Sequence, residues 1–594
     1  MKQIIQDLKS GATILEEVPI THMRRLDIDM LKGLAIISVV LYHAGFLDTG
    51  YLGVDMFLVI SGYLTIPSVI RRLENNNWEG YLSFVLNRVV RLYPVVFIAC
   101  FACLLTGVYG MLPDDFENLS ESIIATEIMS NNILAYLTVG NYWDVWNEYK
   151  PLMHTWYLGI LVEFYIFIPL LVMIGKKVER RGILAMVALL TFISLAIYLM
   201  PYFSDPAKFY LLPFRFFEFG IGGLLAICSA TVNKRNRQNS LGIVLLIGLM
   251  VVVCSAWLPG QIDKVILLLS VVVLTTTVIY FDLSGISNNL IGYIGKMSLS
   301  VYIWHQIILA FWRYYFGKDI GIGTWFLLLG VLSVLSLLSY HLIENKVSIN
   351  KKSILTMAIV WSLIFTSSMG IYMNAGIIRD VPELDLKVNE AHRGMFKDYS
   401  DKIYAMDKDF EEDGKIKVLV LGNSFARDWA NILLESKYKD SISISYAHDQ
   451  QSGFDEKIKK RAPKADVIFV NSLKEEVPVC LWTSKKEDVR VWCIGNKNFG
   501  ESNGIFYTHR NEPDYMNQSV ICSNQVIKDN IRRKQDWGDS FIDLMSPVTT
   551  PKGEIRVFTP EGKFISMDTR HLTKAGAQYY TRLLEIEKYI NKDR

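Results

Sequence analysis

Apolar and polar positions divide the chain into two regimes. Through the first 375 residues, apolar stretches long enough to cross a bilayer recur, and eleven can be read: roughly 31–48, 52–70, 92–111, 153–175, 182–200, 211–230, 241–258, 263–281, 290–311, 323–343 and 353–373. The first follows a polar, charged segment and has no small-residue cleavage site behind it, so it does not read as a cleavable signal peptide. From about residue 415 the pattern changes to short β-branched runs, IKVLVLG, SISISYA, ADVIFVNS and VRVWCIG, separated by helix-length segments such as ARDWANILLESKY. The expected organisation is a multi-pass α-helical membrane domain over 1–375, a polar linker and lead-in over 376–413, and an α/β domain over 414–594.

Charge adds an orientation. Lys and Arg gather at alternate ends of the apolar stretches: Arg24, Arg25 and Lys32; Arg71, Arg72, Arg88 and Arg91; Lys176, Lys177, Arg180 and Arg181; Lys234, Arg235 and Arg237; Lys346, Lys351 and Lys352. Residues 112–149 hold no Lys or Arg but carry Asp114, Asp115, Glu117, Glu121, Glu127, Asp144 and Glu148. This bias puts the N-terminus in the cytoplasm. Eleven spans then put everything after 373 outside, whereas an even number would put it inside.

Composition narrows the classes. The 594 residues are too many for one ordinary domain, 51% are hydrophobic, and the net charge of +2 leaves no nucleic-acid footprint. Seven cysteines (100, 103, 228, 254, 480, 493 and 522) show no zinc spacing, and no metal site is expected. Cys480, Cys493 and Cys522 fall in the α/β part, where one disulfide or three reduced, buried thiols are both compatible with the sequence.

Candidate chemistry in the α/β part begins at VLVLGNSFARDW, Val418 to Trp429. An apolar strand ending in Gly-Asn-Ser either presents the Ser424 hydroxyl at a sheet edge or makes an ordinary turn into a capped helix. Near the C-terminus, MDTRHLTKAGA puts Asp568 three residues before His571. A tight loop there would let the carboxylate orient the imidazole towards a serine; otherwise Thr573 caps a helix and both residues are solvated. Asn471, ending the ADVIFVNS strand, is either an oxyanion donor or a strand-end turn residue, and the Ser424 backbone N–H is a further donor.

In the membrane part, ionisable groups inside spans are functional suspects. His43 lies eleven residues beyond Lys32, roughly 16 Å along a helix, where it serves as a base or bonds a neighbouring helix. Arg88 and Arg91, three apart, either bind an anionic ligand such as phosphates or simply mark the cytoplasmic side. Asp55, Ser61, His154, Glu163, Arg215, Glu218, His305, His341 and Glu344 complete the set.

Two resemblances follow from these residues. Gly-Asn-Ser after the first strand and Asp-x-x-His near the end of the domain resemble the SGNH hydrolases, which implies a flavodoxin-like three-layer fold with Ser424 as nucleophile, His571 as base, Asp568 as its orienter and Asn471 in the oxyanion hole. The family's Gly-Asp-Ser is here Gly-Asn-Ser. The motifs DID, YHAG, GVDMFLVISGYL, NRVVRLYP, PLMHTWYLG, FRFFEFGIGG, SVYIWHQ and LIEN, in that order over 24–373, resemble the membrane acyltransferase-3 family. That resemblance implies transfer of acetyl from cytoplasmic acetyl-CoA to an extracytoplasmic carbohydrate such as peptidoglycan or O-antigen. No cofactor would be permanently bound, and the protein would sit in a bacterial plasma membrane. It departs from the family pattern at Lys32, where an arginine is usual and whose lysine loses the bidentate fork, and at Leu161 and Val162, which replace paired carboxylates. A bifunctional acetyltransferase and acetylesterase, or a carbohydrate transporter with a vestigial outer domain, are the competing classes.

Overall fold

The computed structural model describes residues 25–73, 77–138, 147–175, 179–229, 239–255, 262–283, 288–346, 351–472, 482 and 485–590. Arg24, Asp144, Lys176, Lys177, Lys234, Arg235, Arg237 and Cys480, named above, lie outside the described residues, as do the side chains of Arg180 and Lys351. Among the described residues, eight helices are long and apolar enough to cross a membrane: Gly50–Arg72, Trp78–Gly110, Met153–Gly175, Arg181–Leu199, Leu212–Ser229, Lys264–Phe281, Ile322–Lys346 and Lys352–Met373.

Three expected spans are not among the eight, each for a visible reason. The helix Leu26–His43 carries Asp27, Asp29 and Lys32 within its 18 residues and ends at His43, where Gly45 turns the chain at φ +80°. Asn239–Val253 has 15 residues among those described, fewer than the roughly 18 that mark a spanning helix. The stretch expected at 290–311 is two helices, Asn289–Lys296 and Ser298–Phe316, and the second bears the buried polar residues His305, Gln306 and Arg313.

The chain forms two compact units. The first takes in residues up to Ile70, Gly175–Phe192 and Phe217–Leu299; the second takes in Arg71–Ile174, Ile193–Phe216 and Ser300–Arg594. In the first, the helix Leu26–His43 is anchored at its start. Buried Asp27 pairs with Arg25 at 2.5 Å and accepts the Leu283 N–H at 3.2 Å, while Arg25 donates to the Tyr63 hydroxyl and the Ile279 carbonyl, both at 2.8 Å. The second unit holds membrane-segment helices together with the whole α/β part.

The α/β part is built on a parallel sheet. Strands β1 (Ile416–Gly422), β2 (Ile442–His448), β3 (Val467–Asn471), β4 (Arg490–Ile494) and β6 (Phe541–Ile542) lie in the order β2-β1-β3-β4-β6. β5 (Ser519–Val520) and β7 (Ile555–Arg556) form a separate antiparallel pair. Alternate residues of each strand face opposite layers. Val418, Val420 and Phe469 join a core with Trp429 and Tyr580 of the helices Ser424–Glu435 and Lys574–Leu583, while Leu419, Leu421, Ile468 and Val470 join another with Phe454 and Ile458 of the helix Phe454–Arg461. The order is that of a doubly wound flavodoxin-like sheet, whose topological switch point lies between β1 and β3, where such sheets bind ligands.

Candidate active site

Ser424 sits at that switch point because of the three residues around it. Gly422 has φ +128°, and a Cβ there would overlap the Asn471 carbonyl, so only glycine closes the turn out of β1. Asn423 caps the next helix: its Oδ1 accepts the Phe425 N–H at 2.9 Å, its Nδ2 donates to Asn471 Oδ1 at 2.9 Å, and its backbone N–H donates to the Asn471 carbonyl at 2.9 Å. Ser424 is thereby the first residue of the helix Ser424–Glu435. Its N–H is one of the first-turn donors that a helix leaves without an internal partner, and it lies at the positive end of the helix dipole.

Three side chains 147 residues or less apart in sequence then form a chain of hydrogen bonds. His571 Nε2 lies 2.9 Å from Ser424 Oγ, and His571 Nδ1 lies 2.5 Å from Asp568 Oδ2. The other Asp568 oxygen accepts the His571 and Arg570 backbone N–H groups at 2.8 and 3.0 Å. Burial by itself would raise the Asp568 carboxyl; the adjacent imidazole and these hydrogen bonds outweigh it and hold the group at about 2. Asp568 therefore stays a carboxylate facing Nδ1 of the imidazole, whose Nε2 faces the Ser424 hydroxyl. Ser424 is 5% exposed and His571 fully buried.

The loop that supplies the acid and base is tightly held. Thr569 has φ +72°, an uncommon conformation for a β-branched residue, and its carbonyl accepts the Phe499 N–H at 2.8 Å. The Ser566 hydroxyl donates to the His571 carbonyl at 2.8 Å, and Thr573 caps the helix Lys574–Leu583 through the Gly576 N–H at 2.9 Å. The sequence offered the triad loop and the capped helix as alternatives; the structure has both in succession.

Asn471 lies beside the serine turn, but its amide hydrogens point to the Ile494 carbonyl at 2.8 Å and Asn496 Oδ1 at 3.0 Å. In this arrangement it ties β3 to the segment after β4 and to Asn423.

Two residues not singled out from sequence complete the surroundings. Asp428, one helical turn after Ser424, pairs with fully buried Lys497 at 2.6 Å and accepts the Leu572 N–H at 3.0 Å, next to His571. The Lys497 ammonium also lies 4.3 Å from the Phe425 ring centroid, and Phe425 stacks on the His571 ring at 6.5 Å. Burial lowers the Lys497 pKa and the Asp428 carboxylate opposes that shift. The sequence signal was Arg427-Asp428 on the buried face of an amphipathic helix, where charges are rare unless paired.

The membrane-segment candidates fall in both units. In the second, buried His154 and His305 have ring centroids 5.2 Å apart, His154 Nε2 lies 3.1 Å from the Ile303 carbonyl, and the Tyr302 hydroxyl donates to the His154 carbonyl. Glu163 accepts from Asn132 at 2.8 Å, and Arg215 donates to the Phe209 carbonyl at 3.2 Å. Arg88 lies over the Phe84 and Tyr165 rings at 5.7 and 5.8 Å, and Arg91 is exposed on the same helix. Lys32, His43, Asp55, Ser61 and Glu218 belong to the first unit. Asp55 and Glu218 are buried there, and half-exposed His43 ends its helix with its ring against Tyr42 at 5.1 Å. Among the described residues, no group of His, Cys, Asp and Glu could hold a metal ion, and Cys493 and Cys522 are buried free thiols.

A doubly wound sheet with Ser424, His571 and Asp568 hydrogen-bonded at its carboxyl edge, on the same chain as eight long apolar helices, defines a multi-pass membrane protein that carries an α/β domain. The membrane half gives the lineage. The acyltransferase domain of the acyltransferase-3 family matches residues 25–374, and the chain belongs to that family. It is 27% identical over 351 residues to O-acetyltransferase OatA of Staphylococcus aureus strain NCTC 8325 / PS 47, covering 54% of this chain and 56% of the relative. A provisionally named O-acetyltransferase of S. aureus strain COL is 25% identical over 341 residues, with 54% of this chain and 56% of the relative covered. A provisionally named membrane-bound transacylase, BcsY of Komagataeibacter xylinus, is 27% identical over 349 residues, with 56% and 85% covered. The chain thus spans 56% of the length of the S. aureus relatives it matches. No solved structure matches the chain.

Proposed function

We propose that this protein is a multi-pass membrane O-acyltransferase that moves acetyl from cytoplasmic acetyl-CoA to a hydroxyl of a cell-surface carbohydrate. The observation that carries the reading is the Ser424–His571–Asp568 chain of hydrogen bonds on the same polypeptide as an acyltransferase-3 membrane segment. The name of the relative OatA supports acetyl as the group transferred.

In this reading the chain crosses a bacterial plasma membrane eleven times, with the SGNH-like α/β domain outside. Lys32, Arg88 and Arg91 receive the phosphates of the donor, and His43 assists passage of the acetyl group. At the α/β site, His571 takes the Ser424 proton as Oγ bonds to the acetyl carbonyl carbon. The bond from that carbon to its carrier breaks, and His571 returns the proton to the departing atom. A sugar hydroxyl then gives its proton to His571, its oxygen attacks the acetyl carbon, and Ser424 leaves reprotonated. The Ser424 N–H faces the oxyanion. Transfer outruns hydrolysis only while water is kept from the acetyl-serine.

A second reading, an acetylesterase, is favoured by the completeness of the triad, since hydrolysis needs nothing from the membrane segment. The test is alkali-released acetate from cell-surface glycan fractions of a deletion strain complemented with wild type, His43→Ala or Ser424→Ala at matched protein levels. The transferase reading expects one fraction to lose acetate in both variants. A gain of acetate in Ser424→Ala alone points to the esterase, and unchanged acetate in every fraction overturns the transferase.

A further inference from the structure

The contacts of residues 499–508 reach in two directions. Towards the triad, Phe499 N–H holds the strained Thr569 carbonyl at 2.8 Å, and Asn503 Nδ2 donates to the Ser566 and Met567 carbonyls at 3.0 and 2.9 Å. Those carbonyls lie immediately before Asp568. Away from the triad, the same segment meets the end of the helix Ser298–Phe316. Gly504 lies against the Tyr314 ring so closely that a Cβ would overlap it, and the Thr508 hydroxyl is 3.5 Å from the Tyr315 carbonyl. Glu501 pairs with Lys318 at 2.7 Å and accepts from the Tyr149 hydroxyl at 3.1 Å.

Tyr314 extends this connection. Its hydroxyl donates to Asp115 at 2.7 Å and accepts the Leu112 N–H at 3.0 Å. Burial raises the Asp115 carboxyl to about 6, the Tyr314 hydrogen bond opposes the rise, and the charge of Asp568 adds to it. Apolar packing runs through the same place: Leu112, Val381, Phe506, Tyr507, Phe558 and Phe564 share one buried cluster. Nine residues back along its helix from Tyr314, roughly 14 Å at the helical rise, lies His305 with its partner His154.

We propose that residues 499–508 are a coupling element that seats the triad loop on the membrane segment, and that acyl transfer to a glycan needs this seat while hydrolysis of a soluble ester at Ser424 does not. The inference rests on the transferase reading. The reason is kinetic. A domain swinging freely on the 376–413 segment would meet an acyl group at the low effective concentration set by a long linker, and its acetyl-serine would be open to water. A seated domain removes both losses.

The test uses the full chain. Gly504→Leu drives a side chain into Tyr314, and Glu501→Lys sets two cations against each other at 318; neither residue touches the triad side chains. Glycan-bound acetate in complemented cells should fall by about tenfold or more in both, while 4-nitrophenyl acetate hydrolysis by the detergent-purified protein stays within about twofold. The exchange Lys318→Glu with Glu501→Lys should restore a large part of the glycan acetate. Unchanged glycan acetate in both single variants overturns the proposal, and so does an equal fall in both activities, which would mark the segment as mere scaffolding for the triad. Independently of any activity, a Lys318→Cys/Glu501→Cys pair in native membranes should be joined by a short bis-maleimide and found as linked peptides. Absence of the link overturns the seat. A present link with no wild-type glycan acetate overturns the transferase reading and, with it, the coupling role, leaving only the contact.

Discussion

The α/β part and the membrane segment treat their polar residues in different ways. In the α/β part, Ser424, Asp568 and His571 come from opposite ends of the domain and meet at one carboxyl edge of the sheet. In the membrane segment the suspected groups are distributed over two units, and each is bonded to its own separate partner: His154 to a carbonyl of Ile303, Glu163 to Asn132, Arg215 to the carbonyl of Phe209. A parallel sheet ends all its strands on one side, so loops at that edge converge. A helix bundle spaces its polar groups along each helix, and each must find a partner at its own depth. Convergence makes a site legible from two motifs, whereas dispersal does not.

The largest expected effect concerns whether the triad acts without the membrane segment. Ser424→Ala in the full chain should lower 4-nitrophenyl acetate hydrolysis by about a thousandfold or more, while His43→Ala leaves it within about twofold. If His43→Ala removed ester hydrolysis as well, the two regions would not be separable. Next in size, Asp568→Asn should cut kcat by about a hundredfold to ten-thousandfold with KM little changed, because the tautomer of His571 is no longer fixed.

A third expectation concerns residues that only packing revealed. Asp428→Ala strands the Lys497 ammonium in the core, at about 3–5 kcal/mol. Ester hydrolysis by the purified chain should then be lost at a clearly lower temperature. A double Asp428→Leu/Lys497→Met variant should recover most of that loss in temperature, since an apolar pair replaces a buried ionic one. If the double variant stays heat-stable but hydrolyses the ester poorly, the pair serves the position of His571 rather than the fold.

The smallest effect is on acid stability. Asp568 lies at about 2 when folded, below its ordinary 3.8. A depressed carboxyl contributes stability that is fully present above the unfolded value and is lost as pH falls through the folded one, here about 2 kcal/mol between about pH 4 and pH 2. Acid unfolding followed by intrinsic fluorescence should lose this increment in Asp568→Asn.

Much of the α/β part could be read from period and turn chemistry. The runs IKVLVLG, ADVIFVNS and VRVWCIG contain β1, β3 and β4, and SISISYA contains all of β2 but its last residue, His448, because β-branched runs bounded by turns have few other solutions. The short edge strand β6, Phe541–Ile542, carries no such signal. In the membrane segment, hydropathy marked the long apolar helices, and Leu26–His43 is a helix whose first turn also carries Asp27 and its ion pair with Arg25. Asn471 was legible as a strand-end amide, but the direction of its hydrogens was not, since Asn496 lies 25 residues away.

By itself the sequence determined what is local or periodic: the apolar helices, the alternating strands, the Gly422 turn that needs a positive φ, and the family motifs through 25–374. Only the tertiary structure decided what depends on partners distant in the chain. It paired Asp428 with Lys497, turned the Asn471 amide towards β4, and set residues 499–508 between the triad loop and Tyr314. Backbone propensity and hydrophobic period act over a few residues and are written in order along the chain. A buried charge or a close contact is resolved by whatever group the fold brings beside it, and that neighbour is not fixed by sequence distance.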